Sequence, residues 1–151
     1  MDLSFTKGPA KLDWLDIVRG DGTKVPRIDC PKQRIIPHDM VHFAVESVLE
    51  ARGFLGEIAG GGTVSFANGE EPAEAVERLV ETMQAEAWAG PANFDANDLI
   101  DLYKITCDAR EHPAVPVDRA AIEAIQQLIS DLDARWAAVP VGGMLKLTFR
   151  T

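Results

Sequence analysis

Several sequence features are absent from this chain, and each absence argues against one class of protein. It has two cysteines, Cys30 and Cys107, and neither belongs to a CxxC pair, which argues against a disulfide framework and predicts two free thiols. Its longest apolar stretches are far shorter than the roughly 20 residues that a membrane-spanning helix requires. The start of the chain, residues 1–11, has no secretory signal pattern. These absences predict a cytoplasmic protein without a membrane partner.

Basic clusters are missing as well. The chain has 15 Lys and Arg against 24 Asp and Glu, which gives a net charge of -9, and the basic residues are scattered singly along it. An acidic surface repels phosphate backbones, so nucleic acid is not expected as a partner. The glycine run at 60–62 is followed by Thr63 and lacks the GK[ST] ending of a phosphate-binding loop, and no GxGxxG or GxSxG pattern occurs.

Composition and residue patterns predict one α+β domain that spans residues 1–151. Hydrophobic residues make up 46% and charged residues 26%, as is typical of a folded globular domain. Period-two alternation predicts an N-terminal strand in DLSFTKG, a hairpin of Leu12–Arg19 and Thr23–Asp29 around a glycine-rich turn, and a last strand at Met144–Arg150. Because the terminal strands share one pattern, we expect them to pair or to flank the hairpin in an antiparallel sheet of about four strands.

Helical periodicity predicts about four helices on one face of this sheet. The predicted segments are Pro37–Arg52 with a short continuation at Phe54–Ala59, Glu70 to Gly90, Asp95 to a point before Pro113, and Asp118 to about Ala138. A strand or turn is predicted at Thr63–Phe66. The last helix has the clearest apolar stripe: Ile122, Ile125, Ile129, Leu132 and Trp136. Such a stripe packs within the chain or, as an alternative, forms a homodimer.

Several single residues carry weaker signals. The three tryptophans continue apolar patterns and one cysteine lies on a helical apolar face, so all four are predicted to be core residues: Trp14, Trp88, Trp136 and Cys107. His112 lies in a loop-like stretch and is predicted to be solvated. Cys30 is predicted to be a quiet, partly buried thiol, although the nearby Lys32 is a group that would lower its pKa.

The strongest constellation is the segment PHDMVH at 37–42. His38 and His42 are four residues apart, so on a helix they project from one side and both imidazoles can reach one metal ion. Glu46 continues the same row. These three residues are the candidate ligands of Zn²⁺ or another divalent transition metal. Glu57 or Asp108 is the candidate for a further ligand.

The sequence HDMVH resembles the HExxH signature of zinc metallopeptidases, whose two histidines bind zinc and whose glutamate activates water. Asp39 stands in the place of that glutamate, and its side chain is one methylene shorter. The resemblance implies a metal-dependent hydrolase that uses His38, His42 and a carboxylate, with Asp39 as the catalytic base. The other interpretation is structural: the histidines hydrogen-bond locally, Asp39 favours the helix dipole, and Glu46 pairs with a base such as Arg52.

Three segments together resemble an uncharacterised family of small bacterial proteins. They are LSFTKGPAK near the N-terminus, Ile35–Glu46 with its PHDxxHxxVE pattern, and Gly53–Gly56. The resemblance implies a bacterial, cytoplasmic protein and transfers no catalytic residue. Two hypotheses about function therefore remain. One is a small cytoplasmic α+β protein with a binding or regulatory role, and the other is the metal-dependent hydrolase.

Overall fold

The computed structural model describes residues 1–49, 52–62, 71–90 and 94–150. Within these ranges the chain forms a four-stranded antiparallel sheet and five helices, which confirms the predicted α+β class. The elements in chain order are β1 (Asp2–Thr6), β2 (Leu12–Val18), β3 (Ile28–Pro31), α1 (His38–Leu49), α2 (Phe54–Ala59), α3 (Glu71–Ala89), α4 (Ala96–Ala109), α5 (Arg119–Ala137) and β4 (Met144–Thr148). The strand or turn predicted at Thr63–Phe66 lies outside the described residues.

The two terminal strands pair with each other, as their shared pattern predicts. The order across the sheet is β3-β2-β1-β4, and in the β1–β4 pair, at one edge of the sheet, Leu3 lies opposite Leu147 while Phe5 lies opposite Leu145. Every second residue of these strands is buried, because successive side chains of a strand point to opposite faces. The sheet therefore has one apolar face, which contributes to the common core with the helices.

The hairpin has the predicted turn but a later return strand. The Arg19 N–H donates to the Thr23 carbonyl at 2.8 Å, and Val18 and Lys24 form an isolated bridge. Regular pairing resumes only in β3, so the strand predicted at Thr23–Asp29 is wrong in its bounds. The physical reason is Pro26, which has no N–H to donate to a strand ladder.

The helices begin and end close to their predicted positions, and α4 and α5 each begin at an aspartate cap. The Asp95 side chain accepts a hydrogen bond from the Asn97 N–H, and the Asp118 side chain accepts one from the Ala121 N–H. The apolar stripe of α5 is buried inside the chain, where α5 packs against α1 and α4. The face on which the homodimer alternative rests is therefore not at the surface.

Two of the single-residue predictions are wrong. Trp88 is 40% exposed, with the Arg34 guanidinium over its ring, whereas Trp136 and Cys107 are buried as predicted and Trp14 is half-buried. His112 is only 7% exposed, and among the described residues neither ring nitrogen has a hydrogen-bond partner. Its burial follows from the end of α4, because Glu111 adopts a φ of 56° and the His112 N–H donates to the Cys107 carbonyl. This is a Schellman turn, which commonly directs its last residue back onto the helix.

None of the described helices combines the length and the apolar character needed to cross a membrane.

Candidate metal centre

Helix α1 carries the two histidines on the border of the core. Its first turn closes on the Pro37 carbonyl, which accepts hydrogen bonds from the N–H groups of Met40 and Val41 at 2.9 and 3.2 Å. Met40 and Val41 are fully buried, and His42 is only 3% exposed. The side chain of His38, at the open end of the helix, is 39% exposed. The two histidines thus lie on the flank of α1 that the spacing predicts, and His42 is part of the buried interior.

Helix α3 packs against α1 and supplies a carboxylate that faces both imidazoles. The Glu77 Oε2 atom lies 2.8 Å from Nε2 of His42, and Oε1 lies 3.2 Å from Nε2 of His38. One ligand atom from each of the three residues can be chosen so that all lie within 4.8 Å of one another. Ligands of one tetrahedral zinc ion are roughly 3.3 Å apart, given bonds of about 2.0 Å. The three side chains thus converge on a space of the right size for one ion.

The other nitrogen of each imidazole contacts an oxygen. Nδ1 of His42 lies 3.1 Å from Glu46 Oε2, and Nδ1 of His38 lies 2.8 Å from Gln84 Oε1. A carboxylate can only accept, so the proton of this bond is on Nδ1 of His42, and the amide oxygen of Gln84 requires the same of His38. These contacts leave both Nε2 atoms directed at Glu77. Metal-bound histidines in proteins typically have such an oxygen partner on their second nitrogen.

Glu46 orients His42 and does not join the group of three. Its Oε1 accepts from the N–H groups of Gly53 and Gly56 at 3.0 and 2.9 Å, and its Oε2 accepts from Leu55 N–H at 3.1 Å. The carboxylate therefore satisfies the free amides at the start of α2. Gly53 makes this approach possible, because a Cβ there would lie 2.7 Å from Glu46 Cδ. Glu46, which the sequence predicts to be a ligand, thus contacts His42 and the backbone amides at the start of α2 instead.

In the absence of a metal, the contacts between the imidazoles and Glu77 favour the protonated form of each imidazole and the ionised form of Glu77. Burial disfavours the charged form of His42, but its bonds with Glu46 and Glu77 outweigh burial and raise its pKa to about 9. The bond with Glu77 likewise raises the pKa of His38. Burial acts to raise the pKa of Glu77, yet the two imidazoles lower it on balance.

Asp39, the predicted base, lies beside the group but faces β3. Its Oδ2 lies 3.7 Å from the Cys30 Sγ, and burial raises its pKa against the opposing effect of the two imidazoles. Cys30 is buried rather than partly buried, and burial and the Asp39 charge together raise its pKa, so the quiet thiol stays a prediction that these features support. Lys32 does not lower that pKa, because its Nζ binds Asp13 Oδ1 at 2.5 Å.

The two alternative ligands suggested by the sequence lie elsewhere. Glu57 is on α2, with an oxygen 4.0 Å from Nε of Arg52, and Asp108 is in the last turn of α4. Neither belongs to the group of three. Glu77 was not predicted. Its only sequence signal is its place beside Val76 and Val80 in the apolar stripe of α3, which marks it as bordering the core.

Known proteins give no further guide to this site. No family model, curated protein or solved structure is significantly similar to the chain. The resemblance of the PHDxxHxxVE pattern to an uncharacterised bacterial family therefore stays a prediction.

Proposed function

We propose that this protein binds a divalent transition metal, with Zn²⁺ as the best fit, through Nε2 of His38, Nε2 of His42 and one oxygen of Glu77. The observation that carries the proposal is the convergence of these ligand atoms within 4.8 Å from two different helices. Two imidazoles and a carboxylate are a ligand set that zinc enzymes use. Imidazole nitrogen also suits copper, iron and nickel, so the choice among metals depends on geometry and supply.

Charge balance supports a dication at this place. Without metal, contacts with carboxylates raise the pKa of His38 and of His42, which favours their protonated forms. Metal binding requires neutral histidines and releases the protons that they hold. One ion with two positive charges compensates the two carboxylates, Glu46 and Glu77, in place of those protons. A monovalent ion would leave one negative charge uncompensated.

A second candidate function is metal-dependent hydrolysis, and the exposure of the group favours it. The side chains of His38 and Glu77 are 39% and 32% exposed, whereas that of His42 is 3% exposed, so the group is open to solvent on one side. Three protein ligands leave a fourth tetrahedral position for water, which zinc makes acidic enough to act as a nucleophile near neutral pH. Asp39 is the proposed general base because it adjoins His38 on α1; its Oδ2 contacts the Cys30 thiol in this structure, so the role requires the side chain to turn toward the metal-bound water.

A bacterial origin and a cytoplasmic location are part of the same proposal. The free thiols of Cys30 and Cys107 support the location, because reducing compartments keep cysteines unpaired. The binding or regulatory role first inferred from the sequence is compatible with metal binding. It differs from the hydrolase only in whether water at the fourth position reacts.

The test of metal binding is elemental analysis of protein purified without a histidine tag. We expect close to one equivalent of metal in the wild type after zinc supplementation, and a loss of most of it in His38→Ala and Glu77→Gln. Glu74→Gln is the matched control, because Glu74 is an exposed acid one turn earlier on the same helix. Equal metal content in Glu77→Gln and wild type, or no metal in the wild type with any of several divalent metals, would contradict the proposal.

The hydrolase candidate needs a separate readout. Zinc-loaded wild type and Asp39→Asn are compared on p-nitrophenyl acetate and p-nitrophenyl phosphate. We expect Asp39→Asn to keep its metal and to lose about 100-fold or more in rate, as for removal of a general base. Metal binding without turnover of either ester would leave the metal proposal standing and remove the support for hydrolysis of these substrate classes. Equal rates in the two proteins would refute the role of Asp39.

A further inference from the structure

A second concave site lies on another side of α3. It has a volume of about 650 Å³ and lies between α3, α5 and the start of α4. Glu86 lines it, and because Glu86 follows Glu77 by nine residues, the two side chains project from α3 about 180° apart. The cavity is therefore separate from the metal centre, although both use the same helix. Its volume is within the range of about 300–1,000 Å³ that is common for small-molecule sites.

Glu86 is a largely buried residue, and one of its two carboxylate oxygens accepts a hydrogen bond from a side chain among the described residues. The residue is 8% exposed, and its Oε2 accepts a hydrogen bond of 2.7 Å from Nε2 of Gln126 on α5. Among the described residues, nothing donates to Oε1, and no Lys, Arg or His forms an ion pair with the carboxylate. Burial raises the pKa of Glu86, and the hydrogen bond from Gln126 opposes this shift.

The rest of the lining combines apolar walls with an excess of acid. Ile35, Ala87, Phe94 and Ile129 contribute apolar surface. The one basic lining residue, Arg119, is already engaged at 3.0 Å with an Asp95 oxygen and at 2.8 Å with a Glu123 oxygen. The cavity thus attracts a positively charged group and also offers apolar surface to the rest of a ligand that carries this group.

We propose that this cavity binds a small organic cation, a primary ammonium on an apolar body, with the ammonium at Oε1 of Glu86. An ammonium has three donors and no acceptor, so it can bond Oε1 without disturbing the bond from Gln126. The apolar body contacts Ile35, Ala87 and Phe94. The site does not depend on the metal proposal, because none of the three candidate metal ligands lines the cavity.

The probe is 2-phenylethylamine, and its neutral partner is 2-phenylethanol, which has the same ring and chain. Binding is followed by amide chemical shifts of the full chain during titration at neutral pH and moderate salt. We expect the amine to shift amides around Ile35, Ala87 and Phe94 and to bind at least about tenfold more tightly than the alcohol, since a hydrogen bond to a charged group adds this much or more. Equal binding of the two probes, or no shifts at these amides, would overturn the proposal without the use of any variant.

Two variants separate Glu86 from the general acidity of the protein. Glu86→Gln keeps an oxygen for Gln126 and removes the charge, so it should fold normally and lose most of the preference for the amine. Asp133→Asn removes one exposed lining charge and should change the amine affinity by less than about twofold, because exposed charges are screened. If the two variants lost affinity equally, the attraction would come from the net charge and the site at Glu86 would be refuted.

Discussion

Replacement of Glu46 by glutamine tests the reasoning about the metal centre most directly. Its carboxylate accepts four hydrogen bonds: Oε1 from the N–H groups of Gly53 and Gly56, and Oε2 from Leu55 N–H and His42 Nδ1–H. Glutamine has nearly the same shape but offers one oxygen and one NH₂. Whichever way the amide is turned, two of the four donors then face another donor. The change is therefore disruptive in spite of its small size.

The magnitude follows from the number of donors that lose their acceptor. Each buried donor without a partner costs about 1–3 kcal/mol, so two of them cost about 2–6 kcal/mol in the free energy of unfolding. A domain of ordinary stability has about 5–15 kcal/mol, so Glu46→Gln should still fold while its loss is easily measured. The same change loosens His42, and loss of a second-layer partner typically weakens metal affinity by about 10- to 100-fold.

The assay is urea denaturation of the metal-free proteins, followed by a chelator competition for zinc affinity. Glu57→Gln is the matched control, because Glu57 is half-buried on the adjoining helix with only a 4.0 Å contact to Arg52. We expect this control to stay within about 0.5 kcal/mol of the wild type. A loss below about 1 kcal/mol in Glu46→Gln would refute the four-bond account of Glu46. Reduced stability with unchanged zinc affinity would confine its role to the fold.

Three further predictions concern other parts of the chain. Because hydrogen bonds to two carboxylates raise the pKa of His42 to about 9, its contribution to the stability of the metal-free protein is complete below about pH 6.5 and is lost as the pH rises through 9. Urea denaturation at pH 6 and pH 9 should show a decrease on the order of 3 kcal/mol, which constant stability would contradict. Tyr103→Phe should cost about 1–3 kcal/mol in thermal or urea unfolding, because the Tyr103 hydroxyl bonds both the N–H and the carbonyl of Val115, at 2.8 and 3.1 Å. Cys30 and Cys107 are buried with raised pKa values, so Ellman's reagent should react with them at neutral pH only after denaturation; rapid reaction of the native protein would show that this burial is wrong.

Most of the fold was predictable because its signals are local. The stripe Ile122–Trp136 defines α5, and the like patterns of β1 and β4 predict that these two terminal strands pair or flank the hairpin. The errors arise where one residue overrides a pattern. Pro26 interrupts a segment that otherwise alternates as a strand, and the Schellman turn at Glu111 turns a loop histidine into the core. Both effects depend on backbone geometry that a count of apolar residues does not include.

The candidate site was half predictable for a different reason. The spacing of His38 and His42 predicts their convergence, because one turn of one helix determines it. Glu77 comes 35 residues after His42 on a helix with five glutamates, and only the packing of α1 on α3 selects one of them. Glu46 is on the correct flank, but the amides that follow Gly53 bind it. The glycines at 53 and 56 were the available signal, since small residues permit close approach of a side chain to the backbone.

The position of the two imidazoles is what a purely structural network leaves unexplained. Their ring centroids are 4.9 Å apart, and although the bond with Glu77 raises the pKa of His38, the charge of His42 opposes its protonation. A network that served stability alone would gain from separating two rings that repel each other when protonated. Instead, oxygens on Nδ1 of each ring hold both Nε2 atoms toward one carboxylate. The four-residue spacing on α1 sets the closeness of the rings, and a dication at that place, as proposed, would remove the repulsion and account for the orientation of both Nε2 atoms.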